Sequence, residues 1–404
     1  MGFGQGLSGL KGAAQKLDVI GNNIANAGTV GFKSSTVSFA DVYASSRVGL
    51  GTQVASVNQN FTVGTISNTG NQFDMAIDGG TGLFRVQDSN GNILYTRNGE
   101  FKADKSGNIV NAQGYKLTGY PLGSTAPTPI QVPSGNIAPQ ATTTITSQVN
   151  VDANVKPIAA TFDADDPATY HHTLPLTVYD QLGNPHQVTQ YFVKEDGAAA
   201  GEWKVHYQVD TRDTSNAPLG VSPDNATITF NSKGLVDSTD PAAISLTLEL
   251  DDTTAPTDDL VMTVNYTGST QFAGDFSYTF DQNGYPTGDY SSMSIGSDGS
   301  IMANYTNGEV KQMGFLVLAN FNNLQGLQPV GGNAWRETSE SGQPILGTPG
   351  TNGMALLKGQ AVEESNVDMG TELVNMIITQ RTYQANAQTI STQNEIMQTL
   401  INMR

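Results

Sequence analysis

Apolar residues near the start of the chain recur at alternating steps of four and three. This spacing of about 3.5 residues places them on one stripe of a helix, as at the a and d positions of a coiled coil. The pattern predicts an amphipathic helix over residues 3–24, with Gly21 at one stripe position. The rest of its surface is glycine, serine, glutamine and lysine, so the helix needs a packing partner. The predicted seam residues are Phe3, Leu7, Leu10, Ala14, Leu17 and Ile24.

A second stripe of this kind predicts a helix over residues 368–404. Asp368 stands just ahead of it and Glu372 lies in its first turn, as favoured by the helix dipole. Gln380 and Asn394 also fall on the stripe, and polar residues there lower stability while specifying register and partner. The apolar seam residues are Leu373, Met376, Tyr383, Ala387, Ile390, Met397 and Ile401.

Between the helices the pattern changes to short alternations of apolar and polar residues, which predict β-strands. Over residues 73–120 these alternations are interrupted by turn sequences such as Asp88–Gly91 and Asp104–Gly107. Aspartate bonds the backbone of such a turn, and glycine supplies its positive φ. The segment is therefore predicted to be a β-meander.

The acidic residues are concentrated in the middle of the chain, which indicates that one domain is inserted in another. Residues 141–290 hold 21 of the 37 acidic residues but only five of the 19 basic ones. The predicted fold class is mainly β with α-helical termini, in a nested multidomain chain. The predicted segments are a coiled-coil-like terminal helical domain (1–28 and 368–404), connecting segments (29–70 and 355–367), an inner β domain (71–140 and 285–354) and an inserted acidic outer β domain (141–284). Residues 25–70, which are dense in glycine, serine, threonine and asparagine, are expected to be irregular.

Asparagine and glycine crowd the end of the first predicted helix, in "GNNIANAGTVGFK", residues 21–33. Asparagine side chains bond free backbone groups and tolerate left-handed geometry, which glycine adopts without strain. We therefore interpret Asn22, Asn23, Asn26 and Gly31 as the place where the chain leaves the helix and turns toward the β region. An ordinary helix C-cap followed by a loop is the alternative.

Charge and composition exclude several function classes. The net charge of −18 argues against nucleic acid and against anionic membrane surfaces, because both attract lysine and arginine. No apolar run approaches the roughly 20 residues that a membrane-spanning helix needs. We predict neither nucleic-acid binding nor membrane insertion. The absence of cysteine excludes disulfides and thiol catalysis.

No motif in the sequence assigns a catalytic, cofactor-binding or metal-binding residue. The four histidines lie in the acidic block near several aspartates, but their spacing matches no zinc motif. The aspartate–glycine turns lack the remaining ligands of a calcium loop. The protein is therefore not expected to be an enzyme. The histidines are His171, His172, His186 and His206.

Several blocks of the sequence resemble the flagellar rod and hook axial proteins. The blocks at the two ends are "SGLKGAAQKLDVIGNNIANAGTVGFK" and "ESNVDMGTELVNMIITQRTYQANAQTISTQNEIMQTLINMR", and a third is "YTRNGEFKADKSGNIVNAQGYKLTGY". Two further stretches, "TVYDQLGNPHQVTQYFVK" and "LANFNNLQGLQPVGGNAWRETSESG", favour the hook branch of the family. The similarity is weakest over residues 195–280.

The resemblance implies a subunit that polymerises into a helical tube and acts as a universal joint, transmitting torque from rod to filament. The terminal helices are then expected to line the inner tube. Implied partners are other copies of the chain, the distal rod protein, the hook cap protein, the hook–filament junction protein and the flagellar type III export apparatus. Such subunits leave the cell without a cleaved signal peptide. A stiff distal-rod-type protein and, further removed, a secreted β-rich surface binding module are the alternatives.

Overall fold

A computed structural model describes residues 2–42, 51–133, 135–210, 219–250 and 258–402. The chain begins with helix α1 (Gly2–Ala25) and ends with helix α2 (Met369–Asn402), and β-strands lie between them. The predicted mainly β fold with α-helical termini is confirmed. Both predicted terminal helices are present at the expected places.

The strands have the following bounds in chain order. The first ten are β1 (Ser35–Asp41), β2 (Thr52–Gln59), β3 (Ile66–Asn68), β4 (Met75–Asp78), β5 (Leu83–Gln87), β6 (Ile93–Thr96), β7 (Lys102–Ala103), β8 (Ile109–Val110), β9 (Lys116–Pro121) and β10 (Thr128–Pro129). The next ten are β11 (Thr144–Asn150), β12 (His172–Tyr179), β13 (Pro185–Val193), β14 (Glu202–Val209), β15 (Val221–Ser222), β16 (Asn225–Phe230), β17 (Val236–Asp240), β18 (Ile244–Leu248), β19 (Leu260–Asn265) and β20 (Ser277–Gln282). The remaining strands are β21 (Tyr290–Ile295), β22 (Ser300–Tyr305), β23 (Val310–Leu316), β24 (Leu318–Asn320), β25 (Gln328–Gly331), β26 (Ala334–Arg336), β27 (Ile345–Gly347), β28 (Leu356–Gly359) and β29 (Ala361–Glu363). Short 3₁₀ turns occur at Pro167–Thr169 and Leu324–Gly326.

The chain divides into two compact units. Unit 1 comprises Met1–Ser134, Ser291–Asn304 and Val310–Arg404, and unit 2 comprises Gly135–Tyr290 and Tyr305–Glu309. Unit 1 is thus assembled from the two ends of the chain and a short middle piece. The predicted four-segment division, with its boundaries near residues 70, 140, 285 and 355, stays a prediction.

Unit 2 contains two five-stranded sheets. One is antiparallel, in the order β12-β13-β14-β16-β17, and the other has the order β15-β18-β19-β11-β20, with β11 and β19 parallel. Alternate residues are buried in six of these strands, β11, β12, β14, β16, β18 and β19: in β14 they are Trp203, Val205, Tyr207 and Val209. Residues of both sheets share one apolar core. This is the period of two that the sequence predicts for strands with one buried face.

Unit 1 is built around a branched sheet whose main path is β21-β22-β23-β9-β5-β6-β26-β25. Its sheet brings residues from distant parts of the chain together, as where Leu318 of β24 pairs with Phe84 of β5. Tyr95 and Trp335 are buried in one of its core clusters. The ends of the chain join the unit through the antiparallel pairs β4–β28 and β3–β29.

The aspartate turns of the predicted meander form as expected. Asp88 Oδ1 accepts hydrogen bonds from the backbone N–H groups of Asn90 and Asn92, each at 2.8 Å. Asp104 accepts the equivalent bonds from Ser106 and Asn108, also at 2.8 Å. Hydrogen bonds from the asparagine side chains that close these turns lower the pKa of both carboxyl groups.

The expectation that residues 25–70 are irregular was wrong at residues 35–41 and 52–59. Strands β1 and β2 form an antiparallel hairpin, with Ser35 paired to Gln59 and Asp41 paired to Thr52. The period-two pattern of β1 and β2 is short and weakly apolar, and the neighbouring glycines and serines obscured it. The hairpin's exposed side chains, such as Val57, explain why its pattern differs from that of a core strand.

Helix α1 packs closely on α2 because glycine lies at the contact. A Cβ atom at Gly6 would stand 3.1 Å from Ile390 Cγ1, and one at Gly9 would stand 2.7 Å from Asn386 Oδ1. A third glycine, Gly12, faces the hairpin, where a Cβ would lie 3.0 Å from Phe39 Cε1. The helices approach through small residues rather than through interlocking large ones.

Replacing Gly6 by leucine is expected to push α2 away from α1, because the added side chain would overlap Ile390. Overpacking of this kind costs about 1–3 kcal/mol. The change is measured as a lower thermal midpoint of the helical signal in far-UV circular dichroism. Gly21→Ala is the control: a Cβ there meets no described atom within 4 Å. Alanine is expected to stabilise α1 by about 0.5–1 kcal/mol. Equal effects of the two changes would contradict the close contact.

Candidate functional site

Helix α2 exposes large apolar side chains on the side away from its contact with α1. Leu373, Val374, Ile377 and Ile378 are between 47 and 56% exposed. They form two pairs spaced four residues apart, so they make a continuous patch. Farther along the helix, Ile396, Met397 and Ile401 are 54, 59 and 69% exposed. Contiguous apolar surface, as in the first group, marks an interaction site. These seven residues, in two groups separated by residues 379–395, are together called the α2 apolar patch below.

The predicted seam residues lie mostly beside the surfaces that α1 and α2 bury against one another. Those on α1 are exposed or half-buried, while the buried positions are Gly6, Gly12, Ala13, Ile20 and Asn23. Sequence reasoning assigned the seam to the largest apolar residues and so passed over the glycines at the contact. The use of the seam in contacts between subunits stays a prediction. Exposed seam residues are Phe3, Leu7, Leu373, Tyr383, Met397 and Ile401, and half-buried ones are Leu10, Leu17, Ile24, Met376 and Ile390.

Asn23 joins the end of α1 to two other elements. Its Nδ2 donates to Ser35 O at 2.9 Å and to Glu372 Oε1 at 3.3 Å, and its Oδ1 accepts from Ser35 N at 2.9 Å. The side chain is 1% exposed. Asn26 acts more locally, since its Nδ2 donates to Asn22 O at 2.9 Å and closes the last turn of the helix. Of the predicted asparagines, Asn23 therefore connects both helices with the hairpin.

Gly31 occupies a position that excludes other residues. Its φ is +70°, and a Cβ would lie 2.5 Å from the backbone nitrogen of Asn98. Its N–H donates to the carbonyl oxygen of Glu363 at 2.7 Å. The glycine thus allows the segment that follows α1 to lie directly between two other parts of unit 1.

The Glu363 side chain lies at the centre of a buried ionic cluster. Its Oε1 accepts from Lys33 Nζ at 2.5 Å and from Gly64 N at 2.9 Å, and its Oε2 accepts from Arg97 Nη1 at 2.9 Å. Lys33 Nζ also donates to Thr62 O at 2.7 Å. The side chains of Lys33 and Glu363 are 0% exposed, and that of Arg97 is 2% exposed. The cluster joins four separate stretches of the chain.

The charges of this cluster depend on one another. Burial lowers the pKa of the Lys33 ammonium, the negative charge of Glu363 opposes that shift, and Arg97 adds to it. Arg97 Nη1 and Nη2 also donate to Gly79 O at 3.1 Å. Two cations share one carboxylate in a water-free site, so removing the carboxylate leaves both uncompensated. Sequence reasoning missed these residues because 330 positions separate Lys33 from Glu363. The only signal was their place in or next to the quoted blocks: Lys33 ends the first block, Arg97 lies in the third, and Glu363 directly precedes the C-terminal one.

The histidines of unit 2 are used in packing. His206 stacks on Phe162 with ring centroids 4.1 Å apart, and His172 stacks on Phe276 at 4.4 Å. Across the described ranges, no group of three or more histidine, aspartate or glutamate residues is arranged to hold a metal ion. None of the described helices is long and apolar enough to cross a membrane.

Glu363→Gln is expected to destabilise unit 1 by about 3–5 kcal/mol, because it leaves Lys33 and Arg97 buried without a counter-charge. The free energy of unfolding is measured by urea denaturation. Glu364→Gln is the matched control, because this neighbouring carboxylate is exposed. Its effect is expected to stay within about 0.5 kcal/mol. Similar values for the two variants would show that the buried cluster is not essential.

Four family models match the chain in succession. They are described as flagella basal body rod protein (residues 5–33), flagellar hook protein FlgE/F/G D1 domain (76–156), flagellar basal body protein FlaE D2 domain (150–285) and flagellar basal body rod FlgEFG protein C-terminal (358–403). The matched stretches include the asparagine-rich end of α1, Lys33 and Glu363.

Full-length relatives agree with these matches. The chain is 44% identical to the flagellar hook protein FlgE of Salmonella typhimurium over 415 residues and 42% identical to that of Escherichia coli K12 over 427 residues, covering 100% of each chain. It is 32% identical to the Brucella suis protein, over 99% of this chain and 98% of the relative. The fold is similar to the crystal structure of Helicobacter pylori flagellar hook protein FlgE2, with a TM-score of 0.53 and 15% identity over 74% of this chain and 99% of that one. The chain therefore belongs to the flagellar hook protein family.

Proposed function

We propose that the chain assembles with copies of itself into the tube of the bacterial flagellar hook, through the terminal helices. The family supports a structural subunit of the hook. The observation that carries the mode of assembly is the α2 apolar patch, which stays exposed although α1 and α2 pack on one another. Burying such a side chain contributes about 1.5–3 kcal/mol, so several together favour association strongly.

The register of the two helices leaves part of α2 without a neighbour on α1. Asn23 meets Glu372, and Gly6 meets Ile390, so the helices run antiparallel. Gly2 at the start of α1 is four residues before Gly6, so in the antiparallel pair it lies near residue 394, four residues after Ile390. Ile396, Met397 and Ile401 then lie beyond the start of α1, and this overhang is available to another copy.

A contact between the α2 apolar patch and the exposed seam residues of α1 joins two different surfaces. Such a heterologous contact does not close on itself in a dimer and generates rings or helical filaments. A tube built in this way places the helices inside and the β-rich units farther out. The inner-tube role of the terminal helices and the four predicted domains belong to this proposal.

The finer statements about partners and location belong to the proposal too. They are contact with the distal rod, hook cap and hook–filament junction proteins, passage through the type III export apparatus without a cleaved signal peptide, and an extracellular position. Family membership supports them. A universal joint, rather than a stiff distal rod or a surface binding module, is favoured because the full-length relatives are hook proteins.

The double variant Ile377→Ser, Ile378→Ser is expected to raise the protein concentration at which tubes form by on the order of 100-fold. Two exposed isoleucines that become buried contribute about 3 kcal/mol or more, and about 1.4 kcal/mol corresponds to a factor of ten. Assembly is measured by pelleting and negative-stain electron microscopy in high sulfate, which strengthens apolar burial.

The control replaces two exposed polar residues of the same helix, Gln384→Ser and Gln388→Ser. It introduces two serines into the same helix without removing apolar surface, and because glutamine is the better helix former it costs at least as much helix propensity. An unchanged threshold for the isoleucine variant would contradict assembly through the patch. Compact dispersed particles of the unaltered chain at high sulfate would contradict assembly driven by the helices alone.

A further inference from the structure

The hairpin β1–β2 is attached to helix α1 along its length. The Phe39 ring lies over Gly12, as the 3.0 Å from a Cβ at Gly12 to Phe39 Cε1 shows. One turn earlier on α1, Thr52 N donates to Ser8 Oγ at 3.3 Å, and at the other end of the hairpin Asn23 Nδ2 donates to Ser35 O at 2.9 Å. The hairpin, α1 and α2 therefore form one group within unit 1, which we call the helical arm (residues 2–41, 52–59 and 369–402).

A clamp at Gln59 holds the base of the helical arm to the branched sheet. Gln325 Nε2 donates to Gln59 O at 2.6 Å, and Gln59 N donates to Gln325 Oε1 at 3.2 Å. The Gln59 side chain accepts from Trp335 Nε1 at 2.6 Å through its Oε1. Trp335 is 3% exposed and sits in the apolar core of the sheet. Gln325 bonds the backbone of Gln59 on both its donor and its acceptor, as a neighbouring strand would.

The Gln325–Gln59 clamp and the Glu363 cluster both connect the helical arm to the branched sheet, but they do so by different interactions. The cluster is charged and fully buried, so opening it exposes three ions at once. The Gln325 side chain is neutral and exposed, and water can replace its two hydrogen bonds at little cost. The cluster is thus a permanent attachment, and the Gln325 bonds are a releasable one.

We propose that Gln325 is a positioning residue that sets the direction of the helical arm relative to the branched sheet of unit 1. When its two bonds to Gln59 open, the arm stays attached at the Glu363 cluster, at Trp335 and through the Asn333–Val30 bond, and it turns by a small angle about these points. This inference rests on the proposed function, because a bent tube needs subunits of slightly different shape. The two hydrogen bonds between Gln325 and Gln59 are between neutral groups and can form again after a small movement of the arm. One chain can therefore adopt several such shapes.

Gln325→Ala tests the clamp in the full-length chain. In the unassembled protein, hydrogen exchange at the Gln59 amide is expected to become about tenfold faster, as for the loss of one hydrogen bond of ordinary strength. Exchange at Gly64, which bonds Glu363, is expected to stay unchanged. In assembled tubes, electron micrographs are expected to show a shorter persistence length and a wider spread of curvature, with the thermal midpoint unaltered.

Two further variants make the result specific. Gln325→Glu keeps the acceptor for the Gln59 amide but loses the donor, so its tubes are expected to fall between the unaltered protein and the alanine variant. Gln328→Ala removes an exposed glutamine from the adjacent strand and is expected to leave curvature unchanged. A purely structural role of Gln325 would change the thermal midpoint and not the bending.

The outcomes separate this inference from the proposed function. Tubes of unchanged curvature and stiffness from Gln325→Ala would overturn the role of the clamp while leaving hook assembly intact. Loss of tubes in the alanine variant alone would show that the bonds are required for assembly and would overturn a releasable clamp. Failure of the unaltered chain to form tubes would count against the proposed function instead.

Discussion

The buried carboxylate of Glu363 is the interaction on which unit 1 depends. It binds two cations and a backbone N–H that come from three other places in the chain. Its own backbone carbonyl accepts from Gly31, so both ends of the residue hold the segment that follows α1. A fully buried ion is costly unless it is paired. The cluster therefore fixes the point at which the segment after α1 is attached to the branched sheet.

This arrangement separates what holds the subunit together from what it offers to other subunits. The ion pairs of Glu363 are buried inside the subunit, whereas the helices expose isoleucine, leucine and methionine at its surface. Apolar contact is not directional, so it tolerates sliding between neighbours better than an ion pair does. Lys33, Arg97 and Glu363 hold the internal geometry and take no part in the exposed apolar surface.

Local patterns in the sequence predicted the two terminal helices and the aspartate turns, because spacing and turn chemistry decide each of these within a few residues. The Asp88 turn is an example. The Glu363 cluster was not predictable, since chain closure brings together residues hundreds of positions apart. The glycines at the contact between α1 and α2 were not predicted for another reason: Gly6 and Gly9 pack tightly because they lack side chains, and a pattern of apolar residues does not detect this.

The low proportion of charged residues in the chain affects how α2 can pack against other helices. Polar residues in this helix are mostly threonine, asparagine and glutamine, and several threonines satisfy their hydroxyls internally. Thr379, Thr382, Thr389 and Thr399 each donate to the carbonyl oxygen four residues earlier, at 2.7–2.9 Å. A hydroxyl already bonded within its own helix costs little to bury against a neighbour, whereas a lysine or glutamate would have to find a new partner. A helix of this composition can be enclosed by other helices on several sides, as dense packing in a tube requires.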